Sequence, residues 1–266
     1  MNSQAAMPNS PESLAVQVAD GRIHMGRVWG MLAVRSALSF ALLLALAGVF
    51  AVVGKSGAIR AAAAWWLWFV TVVNVVSIIL MALFGRSEGV RLRDIYFVNR
   101  STWKVDLAWA FGAIAVTAAL AQPPGLLLAK ALWGDSGHTN PMLIQALPLA
   151  AIYPLVVLMP ITHALAELPT YWGYVAPRLR ATGTNRWATI VIVGTVLSIQ
   201  HMFFSFQLDW RYDLWLALKY LPFALWMGIV IDRRPTTLPF LMGAHFALDA
   251  MLPVLVLMVS NGALIF

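Results

Sequence analysis

About seven apolar runs, each roughly 20 residues or longer, decide what this chain can fold into. They lie near 28–53, 64–84, 105–133, 142–176, 187–207, 213–232 and 237–260. A helix of about 20 apolar residues crosses the ~30 Å hydrocarbon core of a bilayer. Within lipid every backbone polar group must find its partner inside the protein, which favours helices for runs of this length. The expectation is an all-α, polytopic transmembrane helical bundle of about seven to eight spans, with its catalytic core in the last four. The chain is 61% hydrophobic and only 11% charged, too little polar matter to clothe a water-soluble surface. The third and fourth runs are too long for one straight crossing. Pro123-Pro124 should break or kink the third, and Pro148, Pro154 and Pro160 the fourth. One of these segments then lies in the interface or adds an eighth crossing.

Residues 1–27 are polar, with no apolar run, and read as a flexible cytoplasmic tail preceding a transmembrane domain at 28–266. They lack the basic start and short apolar core of a cleaved signal peptide, so the first span does the targeting. The linker 85–104 alternates Arg86, Arg91, Arg93, Arg100 and Lys104 with Leu92, Ile95, Tyr96, Phe97 and Trp103, the pattern of a basic amphipathic segment at the membrane surface. Net charge is +7, but the bases cluster between apolar runs, which argues for membrane orientation and against nucleic acid. With the N-terminus inside, one face takes Arg22, Arg27, the linker, Arg178, Arg180, Arg186, Arg233 and Arg234, and the other only Lys55, Arg60, Lys130 and Arg211. The positive-inside rule thus places a multi-pass protein in the cell (inner) membrane, N-terminus cytoplasmic and C-terminus outside. Arg35 and Lys219 fall within span ends. With no cysteine, thiolate catalysis, disulfides and cysteine-type metal sites are excluded.

Two acids stand deep in apolar runs, Glu167 and Asp249, each four residues after a histidine, His163 and His245. Residues four apart share a helix face. At 1.5 Å per residue from the cytoplasmic ends, Glu167, His245 and His201 lie at depths of roughly 14, 12 and 21 Å. Three polar groups from three helices therefore fall in one slab of the membrane. An intramembrane ionisable group is costly and is a functional-site candidate by default. Plainer roles suit its neighbours. His163 would satisfy Glu167 or a carbonyl freed by Pro169, Tyr171 and Trp172 would pack, and Arg178 and Arg180 would snorkel to headgroups. A lone membrane histidine such as His201 is more often an interhelical hydrogen-bonding group than a catalyst.

Taken together, Glu167 with Trp172-Gly173-Tyr174, then Leu197-Ser-Ile-Gln-His201, then His245-Phe-Ala-Leu-Asp249, resemble the three motifs of the CPBP family of intramembrane proteases, EExxxR, FxxxH and HxxxN/D. That family includes type II CaaX prenyl endopeptidases and bacteriocin-processing (Abi) proteins. The likeness runs from Ala166 to Ala250, within a core at 142–260. The third motif fits in full, and the second has Leu197 for phenylalanine. In the first, Leu168 stands for the second glutamate and Trp172 for the arginine; in a register shifted by one, Ala166 and Tyr171 do. An indole does not reproduce the guanidinium fork.

The resemblance implies hydrolysis of a peptide bond in a membrane peptide or lipidated protein substrate. Glu167 would be the general base for a water held with His201, His245 would donate to the oxyanion, and Asp249 would orient His245. Zinc held by Glu167, His201 and His245 suits the ligand chemistry. The absence of an HExxH motif tilts the reading toward a metal-free glutamate mechanism. A catalytically inactive CPBP-like scaffold or partner subunit is the alternative. A proton-coupled transporter comes third, because no repeated halves are visible.

Overall fold

The computed structural model describes residues 7 and 9–265, which are helical with no strand among them. The elements that position the site are α1 (Pro11–Ala19), α2 (Met25–Val52), α3 (Trp66–Ser87), α4 (Trp103–Ala121), α5 (Pro123–Trp133) and α6 (Leu149–Leu168). A π-helical turn (Pro169–Val175) joins α6 to α7 (Ala176–Ala181). There follow α8 (Arg186–Phe204), α9 (Trp210–Lys219), α10 (Leu221–Arg233), α11 (Leu238–Asp249) and α12 (Met251–Ser260). Among the described residues, six segments are long and apolar enough to cross a membrane: Met25–Val52, Trp66–Ser87, Leu149–Ala181, Arg186–Phe204, Trp210–Arg233 and Pro235–Ser260.

The prolines act differently in the two long runs. Pro123 and Pro124 divide the third into α4 and α5, with Gln122 between the two helices and proline in the first turn of α5, where its missing N–H costs nothing. In the fourth run, Pro148 caps α6 while Pro154 and Pro160 are carried inside the helix. Pro169 cannot donate to the carbonyl four residues back, that of Leu165. The linker supplies the missing donor, since Tyr96 Oη–H bonds Leu165 O at 2.8 Å. Burial pushes the Tyr96 phenol above its ordinary range, which keeps it protonated and a donor.

α6 is the central helix. It packs against α3, α11 and α12, while α2 lies between α3 and α8, and α8 packs on α10. One apolar cluster around Met31, Tyr171, Trp172, Leu197 and Met227 fills the end that carries Arg178; another around Leu43, Leu67, Leu155 and Val256 fills the opposite end. Trp172 lies in the first cluster, its ring against Gly228, where a Cβ would collide with the indole.

Two surface expectations are corrected. Residues 10–19 of the stretch read as a flexible tail form a capped helix: Ser10 accepts from Ser13 N–H, Leu14 is fully buried, and α1 packs on α7. Asn9 Nδ2–H also bonds Gly173 O at 2.7 Å. Residues 1–6 and 8 of that stretch lie outside the described residues. Arg178 does not snorkel to headgroups. It and Glu88 are both completely buried, with Arg178 Nε–H on Glu88 Oε2 at 2.7 Å and Tyr174 Oη–H on Glu88 Oε1 at 2.7 Å. Buried charges persist only when paired and hydrogen-bonded. Asp106, the acid at the start of α4, is likewise buried and accepts from Arg234, Thr102 and Thr236.

Candidate functional site

Glu167 sits one residue before the end of α6, with only 1% of its side chain exposed. Desolvating a carboxylate this far requires compensation at both oxygens. Oε1 accepts from Gln200 Nε2 of α8 at 2.5 Å, and faces His201 Nε2 at 3.8 Å and Arg35 Nη2 at 3.9 Å. Oε2 meets His245 Nε2 of α11 at 2.8 Å and His163 Nε2, one turn back on α6, at 3.3 Å. Asp249, one turn after His245, brings Oδ2 to 3.1 Å from His245 Nε2 and 3.7 Å from His163 Nε2. Glu167, His201, His245 and Asp249, singled out from spacing, thus meet in space.

Groups that spacing does not single out complete the cluster. Arg35, set aside as a span-end base, is fully buried on α2 and reaches across the bundle: Nε–H bonds Gln200 Oε1 at 2.9 Å, and Nη1–H bonds Asn74 Oδ1 of α3 at 2.8 Å. A buried cation thus reaches the cluster from α2, outside the last four spans. Its fork holds the amides of Gln200 and Asn74, and Gln200 in turn holds Glu167. The site accordingly draws on α2 and α3 as well as the last four spans. Tyr171 is not only a packing aromatic, since its hydroxyl also bonds Gln200 Oε1 at 2.9 Å. It lies in the π-helical turn, where the extra residue per turn changes which side chains face inward, a feature common at functional sites. Arg35 carried a usable signal, a guanidinium within an apolar run, and so did Gln200 beside His201.

The histidines are poised differently. His201 Nδ1 approaches the carbonyls of Leu197 and Ser198 at 3.0 and 3.2 Å, so Nδ1 carries the proton and Nε2 the lone pair in the neutral ring. That lone pair faces the Glu167 carboxylate, leaving two acceptors opposed across 3.8 Å. His201 is 16% exposed, the most accessible of these side chains, and its ring packs on Tyr220 at 4.1 Å between centroids. The His163 and His245 rings stack at 5.2 Å with 20° between planes.

Among the described residues, one group could hold a metal ion: His163, His245 and Asp249, with one ligand atom from each lying within 4.8 Å of the others. It shares only His245 with the Glu167, His201 and His245 set that spacing suggested.

No protein-family model, curated protein or solved structure matches the chain.

Proposed function

We propose that this protein is an intramembrane endopeptidase of the CPBP type, hydrolysing a peptide bond of a membrane-associated or lipidated substrate with a water activated by Glu167 and His201. One observation carries the proposal: two acceptors, Glu167 Oε1 and His201 Nε2, face each other at 3.8 Å. No direct hydrogen bond can join them. A water about 2.8 Å from each donates one proton to either side and turns an oxygen lone pair outward as the nucleophile. Glu167 accepts the proton as the water attacks. His245, hydrogen-bonded to Glu167 and close to Asp249, donates to the developing oxyanion and then to the leaving amine. Arg35 and Gln200 are positioning residues that hold the Glu167 side chain in place. A divalent cation held by the histidine and acid side chains would add Lewis acidity toward water or carbonyl.

The supporting frame is a seven-span arrangement in which α4 with α5 supplies the remaining crossing, the N-terminus is cytoplasmic and the C-terminus lies outside, in the cell membrane. A site nearer the cytoplasmic face then takes substrate from that side or laterally from the inner leaflet.

The test uses purified full-length protein in proteoliposomes, offered a pool of membrane peptides in H₂¹⁸O. Wild type should create new carboxyl termini carrying ¹⁸O, and Glu167→Gln and His201→Gln, folded by near-UV circular dichroism, should create none. Absence of labelled termini with wild type would favour a non-catalytic membrane partner.

A further inference from the structure

We propose that His163, His245 and Asp249 form a binding site for one divalent transition-metal ion such as zinc, a ligand set distinct from the Glu167, His201 and His245 combination that the motifs suggest. The argument starts at Asn74. Its amide is oriented from both ends, because Nδ2–H bonds Thr162 Oγ1 at 3.2 Å and Oδ1 accepts from Arg35 Nη1 at 2.8 Å. The same Oδ1 lies 3.4 Å from His163 Nδ1, so that nitrogen carries the proton. His163 Nε2 then faces two carboxylate oxygens, Glu167 Oε2 at 3.3 Å and Asp249 Oδ2 at 3.7 Å. One ring nitrogen between two carboxylates marks a place for a cation.

Asp249 makes the same demand independently. Its Oδ2 is buried and has no hydrogen-bond partner, although His245 Nε2 is 3.1 Å away. The one proton that Nε2 can carry is shared with Glu167 at 2.8 Å. Spacing fits a tetrahedral ion as well. Zinc bonds to histidine and carboxylate ligands of about 2.0–2.2 Å put neighbouring ligand atoms about 3.3–3.6 Å apart. The 3.1 and 3.7 Å separations of Asp249 Oδ2 from the two imidazoles bracket that value. Asn74 on His163 is the outer partner that fixes a ligating imidazole's tautomer. The linear sequence lacks HExxH, but α6 and α11 bring two histidines face to face and supply in space what that motif supplies along one helix.

Metal content reads this site without reference to peptidase activity, so absence of metal leaves the peptidase reading standing, whereas an ion on His245 Nε2 would take over from that nitrogen the role of stabilising the oxyanion. Full-length protein in detergent is dialysed against Zn²⁺, and bound metal is counted by mass spectrometry; Co²⁺ loading reports geometry through its visible spectrum. Wild type should retain one equivalent, with the intense bands of tetrahedral cobalt. His163→Gln and the isosteric Asp249→Asn should weaken binding at least tenfold, and His201→Gln should not change it. Near-UV circular dichroism of each variant separates lost binding from lost folding, and X-ray absorption on zinc-loaded wild type counts imidazole ligands without any substitution. No metal above background in wild type would overturn the proposal, since a proton on His163 Nε2 would then be the cation. Retention by His163→Gln with loss in His201→Gln would overturn it in favour of the Glu167, His201 and His245 set.

Discussion

Arg35→Met is the most informative single change for the architecture of the site. The guanidinium is completely buried 3.9 Å from Glu167 Oε1 and bonds two amide oxygens, on Gln200 and Asn74. At an effective dielectric of about 20, its attraction to the carboxylate is about 4 kcal/mol. Removing it strands a buried carboxylate and takes a donor from each amide. Breaking a buried pair from one side costs about 3–5 kcal/mol, whereas the isosteric Glu167→Gln should cost about 1–3 kcal/mol, because Arg35 keeps both amide partners. The double variant removes both charges together and should be more stable than the sum of the single effects by about 1–3 kcal/mol. Denaturant unfolding of the four proteins in one detergent measures the coupling. Additivity within about 0.5 kcal/mol would refute the claim that Arg35 serves as Glu167's counter-charge.

Other parts of the structure give sharper local expectations. Tyr96→Phe leaves the Leu165 carbonyl without its donor and should lower stability by about 1–3 kcal/mol in the same unfolding assay. Arg178→Ala or Glu88→Ala alone should cost about 3–5 kcal/mol, and an apolar replacement of both should recover most of it. Gly228→Ala drives a methyl into the Trp172 ring and should destabilise by about 1–3 kcal/mol, less in a Trp172→Leu background; equal costs in both backgrounds would deny that contact. Leu14→Ala should speed hydrogen exchange across residues 9–19 while the membrane helices keep their protection.

Much of this was legible in the chain. Runs of spanning length fixed the helical class, Pro123-Pro124 marked a real break, and the spacing of Glu167, His201, His245 and Asp249 anticipated a shared depth. Depth along a helix is readable because rise per residue is constant; the facing of a helix is not, because it depends on which neighbours pack against it. For that reason Arg35 passed for a span-end base and Arg178 for a snorkelling one, when both turn inward to buried carboxylates. Glu88 falls within the 85–104 linker, whose pattern reads as a surface segment, yet it is completely buried. Prolines posed a similar limit: a freed carbonyl at Leu165 is predictable from Pro169, but that Tyr96, 69 residues earlier, satisfies it follows only from the packed structure.

The most direct test of the central claim compares peptide termini across membrane proteomes of cells making wild type, Glu167→Gln or His201→Gln at equal folded levels. Water activation between Glu167 and His201 predicts at least one terminus present with wild type and missing with both variants. Identical termini in all three would contradict it.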